Sequence, residues 1–358
     1  MKPEAIREAT CALITEVLGS RKPANDVINA YTRARRYIGS KDRRALTDWV
    51  WSYVRHYFRL AYLYPDKSIS EKVDLLKDMP EVITGAPMWV NMEVPEWIIP
   101  LIPEAEKELP ALMGEAPTVL RANGNRDEIQ KLLQNEGIET EKTKLSPYGL
   151  ILKKRANLAG NPCFKRGLVE VQDEGSQCVA LETGIKAGDK VLDYCAGAGG
   201  KSLIFAQMMD NKGDIVAHDV SDVSLKELQK RATRAGATCI RTEKPVKTEA
   251  FDHVIADAPC SGVGTWRRCP DRRFKLTEKE LKNLIKTQAE ILDIAQKYVK
   301  KGGRLSYMTC SILTPENGDQ IAAFLKRHKD FKLIKEKQFS PAKTGTDGLF
   351  VAVMEREK

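Results

Sequence analysis

Two of the eight cysteines in this chain sit where chemistry can gather. The segment Asp257-Ala258-Pro259-Cys260-Ser261-Gly262-Val263-Gly264 follows one apolar run, and Thr309-Cys310-Ser311 closes another, Ser306-Tyr307-Met308. Each reads as a β-strand running into a turn, which sets Asp257, Cys260 and Cys310 at the ligand edge of a sheet. An isolated cysteine at such a place is usually a small buried hydrophobe. Two in matching strand-end segments, one with an acid beside it, point instead to covalent catalysis. A thiolate can add to an electron-poor ring carbon and push electron density to the neighbouring carbon. Carbon 5 of cytosine needs such help, because it is too poor a nucleophile to attack a methyl sulfonium directly. In that scheme Cys310 adds to ring carbon 6, Asp257 assists near ring N3, and Cys260 serves the removal of the carbon-5 proton.

A second constellation lies upstream. Asp193-Tyr194-Cys195-Ala196-Gly197-Ala198-Gly199-Gly200-Lys201 falls between a strand and a helix. Glycines there let the backbone turn tightly and approach a ligand, and the helix start offers unpaired N–H groups. A glycine-rich turn alone often serves packing. Here the next strand ends in His218-Asp219, and an acid in that place can accept hydrogen bonds from both hydroxyls of a ribose. The ligand expected is therefore adenosine-containing. The loop lacks P-loop spacing; with S-adenosylmethionine (SAM) it would face the methionine end.

These segments need a scaffold, and the order of elements supplies one. Beyond residue 171 strands and helices alternate: strands at 190–193, 215–218, 251–256, 303–308 and 349–354, with helices at 202–209, 225–235, 278–300 and 316–326 between them. Repeated βα units predict an α/β domain with an open, largely parallel, Rossmann-like sheet over 171–358. The 278–300 helix opens on a Thr277/Glu280 capping pattern, with Gly302 as its stop. Residues 118–170 predict a small α+β module. Residues 1–117 predict a helical module and a proline-broken connector, its clearest helix face being Leu46, Trp49, Val50, Tyr53, Val54, Tyr57 and Ala61. Arg33, Arg35, Arg36, Lys41, Arg43 and Arg44 cluster there, either against phosphates or as a solvated face.

Composition narrows the class. The 358 residues carry a formal charge of +9, which favours an anionic partner, nucleic acid first. The sequence has neither an apolar run of membrane-spanning length nor a signal-type segment at its start, so a soluble, cytoplasmic protein is expected. The eight cysteines show neither Cys-x-x-Cys nor zinc spacing, so free thiols and no metal are expected.

Taken together, these residues resemble the Sun/Nop family of SAM-dependent RNA cytosine-5 methyltransferases, close to its bacterial ribosomal-RNA branch. The likeness rests on Val171-Gln172-Asp173-Glu174-Gly175-Ser176-Gln177, on Cys195 to Lys201, on the two cysteine segments, on Gly264-Thr265-Trp266-Arg267-Arg268-Cys269-Pro270-Asp271, and on Thr346-Asp347-Gly348-Leu349-Phe350. It implies SAM as cofactor, held by Cys195, Ala196, Gly197, Ala198, Gly199, Gly200, Lys201, Asp219, Glu243 and Asp257. It makes Cys310 the nucleophile and Cys260 the residue of product release. It also implies a NusB-like helical module at 1–117, a small RNA-binding module at 118–170, and a monomer acting on ribosomal RNA or a ribosomal-subunit precursor. Transfer RNA as substrate and a catalytically silent RNA-binding factor are the alternatives. The sequence departs from the family pattern at Ala198, where proline is usual, and at Glu243, where an aspartate after glycine is usual.

Overall fold

The computed structural model of the protein describes residues 1–244 and 248–357. They form two compact units: Met1–Glu115 with Thr265–Glu280, and Ala116–Gly264 with Leu281–Lys358.

The first unit is helical. Pro3–Gly19, Ala24–Ala34 and Ser40–Arg55 are its longest helices. Steps of three and four residues on the last bury Leu46, Val50, Tyr53 and Val54, against Leu13, Ile14 and Val17 of the first. The segment Thr265–Glu280, which follows the Cys260 turn in sequence, packs into this unit. Asp271 accepts the Ala24 N–H at 3.0 Å, the buried Arg273 donates to the Leu112 carbonyl at 2.6 Å, and Phe274 stacks on Tyr57.

The second unit holds two sheets. Strands β1 (Val119–Ala122), β2 (Thr140–Lys142), β3 (Gly149–Leu152) and β4 (Val169–Val171) make a small antiparallel sheet in the order β2-β3-β1-β4. The helix Arg126–Asn135 covers it, capped by the Asn125 side chain. The large sheet contains β5 (Lys190–Asp193), β6 (Asp214–Ala217), β7 (Ile240–Thr242), β8 (Phe251–Asp257), β9 (Val299–Thr309), β10 (Phe331–Phe339) and β11 (Leu349–Arg356), ordered β10-β11-β9-β8-β5-β6-β7. Strands β7, β6, β5, β8 and β9 run parallel, while β11 and β10 are antiparallel additions. This is the Rossmann-like arrangement expected. The chain leaves β5 toward β6 on one side and returns through β8 on the other, so the ends of β5 and β8 flank the switch point where ligands bind in such sheets. Both faces are apolar: Val191, Ile204 and Ile215 lie in one buried cluster, and Leu192, Val254 and Leu305 in another.

Two expectations are corrected. The helix expected to run to Lys300 ends at Ala295, and after one 3-10 turn β9 begins at Val299. Val299 is β-branched, fully buried and paired with Phe251, so sheet pairing overrides helical periodicity. Gly302, with φ +72°, serves the irregular stretch between the Phe251 and His253 pairings rather than a helix stop. The strand β10 was absent from the sequence reading. It is an edge strand whose Lys332 to Gln338 are all exposed, so it carries no apolar alternation, and its lysines suit an edge that must not pair further. Among the described residues no helix is long and apolar enough to cross a membrane.

Candidate active site

Parallel pairing of β8 and β9 aligns Asp257 with Met308. It continues one step further, through the Ala258 N–H to the Met308 carbonyl at 3.0 Å. The two strands thus deliver their following residues side by side. The Sγ atoms of Cys260 and Cys310 lie 3.3 Å apart, and the Cys310 N–H points at the Cys260 sulfur, also at 3.3 Å. Gly264 N–H donates to the Cys310 carbonyl at 3.1 Å. Gly264 has no room for a side chain, because a Cβ there would overlap the Gly348 carbonyl.

From the other side of the switch point, Lys201 donates to Asp257 Oδ2 at 2.6 Å, its side chain 11% exposed against 29% for the acid. Burial alone would pull the ammonium down, but the charge of Asp257 and its hydrogen bond outweigh that and hold it above its ordinary value. The two thiols are electrostatically unequal. Their mutual hydrogen bond lowers Cys310 and raises Cys260; burial opposes the first effect and adds to the second, and at Cys310 the charge of Asp257 pushes up while that of Lys201 pulls down. The N–H contact to the Cys260 sulfur acts the other way, but the net directions are down for Cys310 and up for Cys260. They favour Cys310 as the acceptor and Cys260 as the donor of the bond between them.

The glycine loop starts where β5 ends. Asp193 is fully buried and accepts the Ser202 hydroxyl at 2.6 Å. Burial pushes its carboxyl up to about 7, against the downward pull of that hydrogen bond. Gly199 takes φ +82° at the start of the helix Gly200–Met208, and a Cβ there would strike Leu228, so both conformation and space require glycine. Asp219 is drawn to this loop, accepting from Gly197 N–H and Ser221 N–H, both at 2.8 Å. The Ala198 carbonyl accepts from Arg231 at 2.7 Å, and burial raises the Cys195 thiol. Glu243, just past β7, is half exposed and ion-paired with Arg241.

The structure therefore brings the 193–201 loop, Asp219, Asp257, Cys260 and Cys310 to the carboxyl ends of β5, β6, β8 and β9. It also shows residues that sequence reasoning passed over. Glu316, assigned only to a helix start, lies buried beneath both cysteine turns and accepts from Ser261 and Ser311. The available signal was that each cysteine is followed by serine. Asp193 entered the sequence reading only as the first residue of the loop.

The family described as 16S rRNA methyltransferase RsmB/F matches residues 180–355. The chain is 35% identical over 281 residues to ribosomal RNA small subunit methyltransferase B of Photorhabdus laumondii, covering 72% of this chain and 65% of that protein. It is 34% identical over 303 residues to the probable ribosomal RNA small subunit methyltransferase B of Bacillus subtilis, covering 76% and 67%. The chain thus spans about two thirds of the length of these curated relatives. Among solved structures, that of PH0851 superposes with a TM-score of 0.82 over 100% of this chain and 99% of its own, at 22% identity, a likeness of fold. By sequence, the chain belongs to the RsmB/F family of 16S rRNA methyltransferases.

Proposed function

We propose that the protein transfers a methyl group from SAM to carbon 5 of a cytosine in RNA, with ribosomal RNA or a subunit precursor as substrate, acting as a monomer in the cytoplasm. The observation that carries this reading is the pair of unequal thiols 3.3 Å apart beside the Lys201–Asp257 ion pair.

The donor set suits SAM. The loop 195–201 and the start of its helix would receive the methionine end, Asp219 the ribose hydroxyls and Glu243 the adenine side, while the unpartnered Asp193 Oδ1 adds buried negative potential under the loop. When bound, SAM supplies an electrophilic methyl group.

The protein's own groups do the rest. The Cys310 thiolate bonds to ring carbon 6, and the electron pair displaced from the ring double bond makes carbon 5 nucleophilic. Asp257, held by Lys201, meets the ring at N3 and its amino edge. Once Cys310 is a thioether it carries no charge and accepts the Cys260 hydrogen bond only weakly, so the largest of the influences that kept Cys260 protonated is withdrawn, while burial remains. Cys260 gives that proton to water and takes the one on carbon 5; the electron pair left behind reforms the double bond and expels Cys310 as thiolate. The target base must be unstacked to reach these groups, so single-stranded or opened RNA is the form bound. On this reading the helical unit and the small sheet module each contribute contacts to RNA.

The test is a pair of single replacements assayed on ribosomal and transfer RNA. Cys310→Ala is expected to abolish methyl transfer, and Cys260→Ala to accumulate a covalent protein–RNA adduct. Full methylation by Cys310→Ala would overturn the assignment, and activity confined to transfer RNA would replace the substrate.

A further inference from the structure

Resting on that reading, the geometry points to Glu316 as a positioning residue that fixes the two cysteine turns in register from below. Glu316 is fully buried. Its Oε1 accepts the Ser261 N–H at 2.8 Å and the Gln288 amide at 2.9 Å, while Oε2 accepts the hydroxyls of Ser261 at 2.5 Å and Ser311 at 2.6 Å. Every acceptor site of the carboxylate faces a donor, and these come from both turns: Ser261 directly follows Cys260, and Ser311 directly follows Cys310.

The clamp extends one residue to either side. Gln288, also fully buried, bridges Glu316 to the Pro259 carbonyl at 3.0 Å, so the residue preceding Cys260 is tied as well. Asn317 accepts the Thr309 hydroxyl at 2.6 Å and donates to the Ser311 carbonyl at 3.0 Å, which holds the residues flanking Cys310. The Tyr307 hydroxyl donates to the Glu316 backbone carbonyl at 2.8 Å and anchors the clamp on β9. No atom of Glu316 belongs to the thiol pair itself. Its charge raises both thiols directly, whereas its hold on the spacing of the sulfurs passes through the two serines, which the serine replacements test with the charge left in place. A shared proton between two thiols demands a close contact, and sulfur hydrogen bonds are weak. Turns free to slide would lose that contact before losing the fold.

The test uses the full chain and reads spacing apart from turnover. Phenylarsine oxide condenses with two adjacent thiols, forming two As–S bonds and releasing water, and needs no RNA. Wild type is expected to bind it through Cys260 and Cys310, identified by peptide mass spectrometry, with Cys260→Ala and Cys310→Ala as blanks. Glu316→Gln opposes donors to donors, and Ser261→Ala with Ser311→Ala removes the hydroxyl half of the clamp. Both variants are expected to lose about tenfold or more in arsenical affinity and in kcat, while KM for RNA and Kd for SAM stay within about twofold. Arsenical affinity and kcat within about twofold of wild type in either variant would overturn the proposal. So would a loss of kcat matched by equal losses of SAM binding and melting temperature, since that marks a structural role only. If the arsenical result holds and no variant, nor wild type, methylates RNA, the clamp stands and the reading of the reaction falls.

Discussion

Asp193 carries a charge that works against the fold, so Asp193→Asn is expected to stabilise the catalytic unit, and to do so more as pH rises. The side chain is fully buried, Oδ1 has no partner, and burial moves the carboxyl from 3.8 to about 7. The folded value lies above the unfolded one, so between them the native state holds a proton that the unfolded chain has lost. The stability associated with this group is therefore complete below about pH 4, falls as pH rises through about 7, and is constant above. At about 1.36 kcal/mol per pH unit, the full interval is worth about 4 kcal/mol, an upper limit because relaxation screens buried charges. About 2 to 3 kcal/mol of it falls between pH 5 and pH 8. Asparagine has the same shape, can keep its carbonyl on the Ser202 hydroxyl, and carries no charge to bury. All five tryptophans lie in the helical unit, so their fluorescence does not follow the catalytic one. Urea unfolding is better read by labelling of Cys178, which is buried in the catalytic unit, with a pyridyl disulfide that reacts at both pH values. The difference in unfolding free energy between Asp193→Asn and wild type should grow by that amount from pH 5 to pH 8. A difference that is flat with pH, or that shrinks, would refute the reasoning.

Three further outcomes are expected. Gly264→Ala forces a methyl group into the Gly348 carbonyl and should cost about 1–3 kcal/mol or more, seen as a lower melting temperature together with loss of methyl transfer through the Gly264–Cys310 backbone contact. Replacing the exposed Arg36 and Arg43 by glutamine should weaken RNA binding and flatten the slope of log K against log salt by about 2; unchanged slopes would make the arginine cluster a solvated face. Because Asp193 is close enough to feel the charges of Asp219, Asp257 and a single lysine, Lys201, a cationic SAM analogue such as sinefungin should bind about tenfold more tightly than neutral S-adenosylhomocysteine. Calorimetric titration should show that advantage shrinking below pH 7 as Asp193 takes up its proton, and equal affinities at pH 8 would sink the argument.

Much of the site was legible because it is made of strand ends. A hydrophobic run followed by a chemically equipped turn fixes a residue at a sheet edge whatever the details of packing, and Asp257, Cys260 and Cys310 came out together for that reason. What was not legible depends on tertiary partners. Helix periodicity over 278–300 could not reveal that Val299 pairs with Phe251. Nor could the lysine-rich pattern of 332–337 announce an edge strand, since an edge strand needs no buried face. The pairing of Lys201 with Asp257 is hidden for a related cause: the two lie 56 residues apart on either side of a crossover, and no local pattern joins them.

The buried acids were the least legible of all, and the reason bears on how the site works. A carboxylate in the interior costs free energy unless its acceptors are filled. Glu316 meets that condition, with donors on both oxygens, and so becomes a rigid fastening for two turns. Asp193 does not meet it, having one partnered oxygen and one bare. The same chemical group, a buried carboxyl, thus does opposite things to the fold under two neighbouring loops. One holds a geometry in which two thiols can share a proton. The other stores an uncompensated negative potential beneath a glycine loop, in a chain whose formal charge is +9.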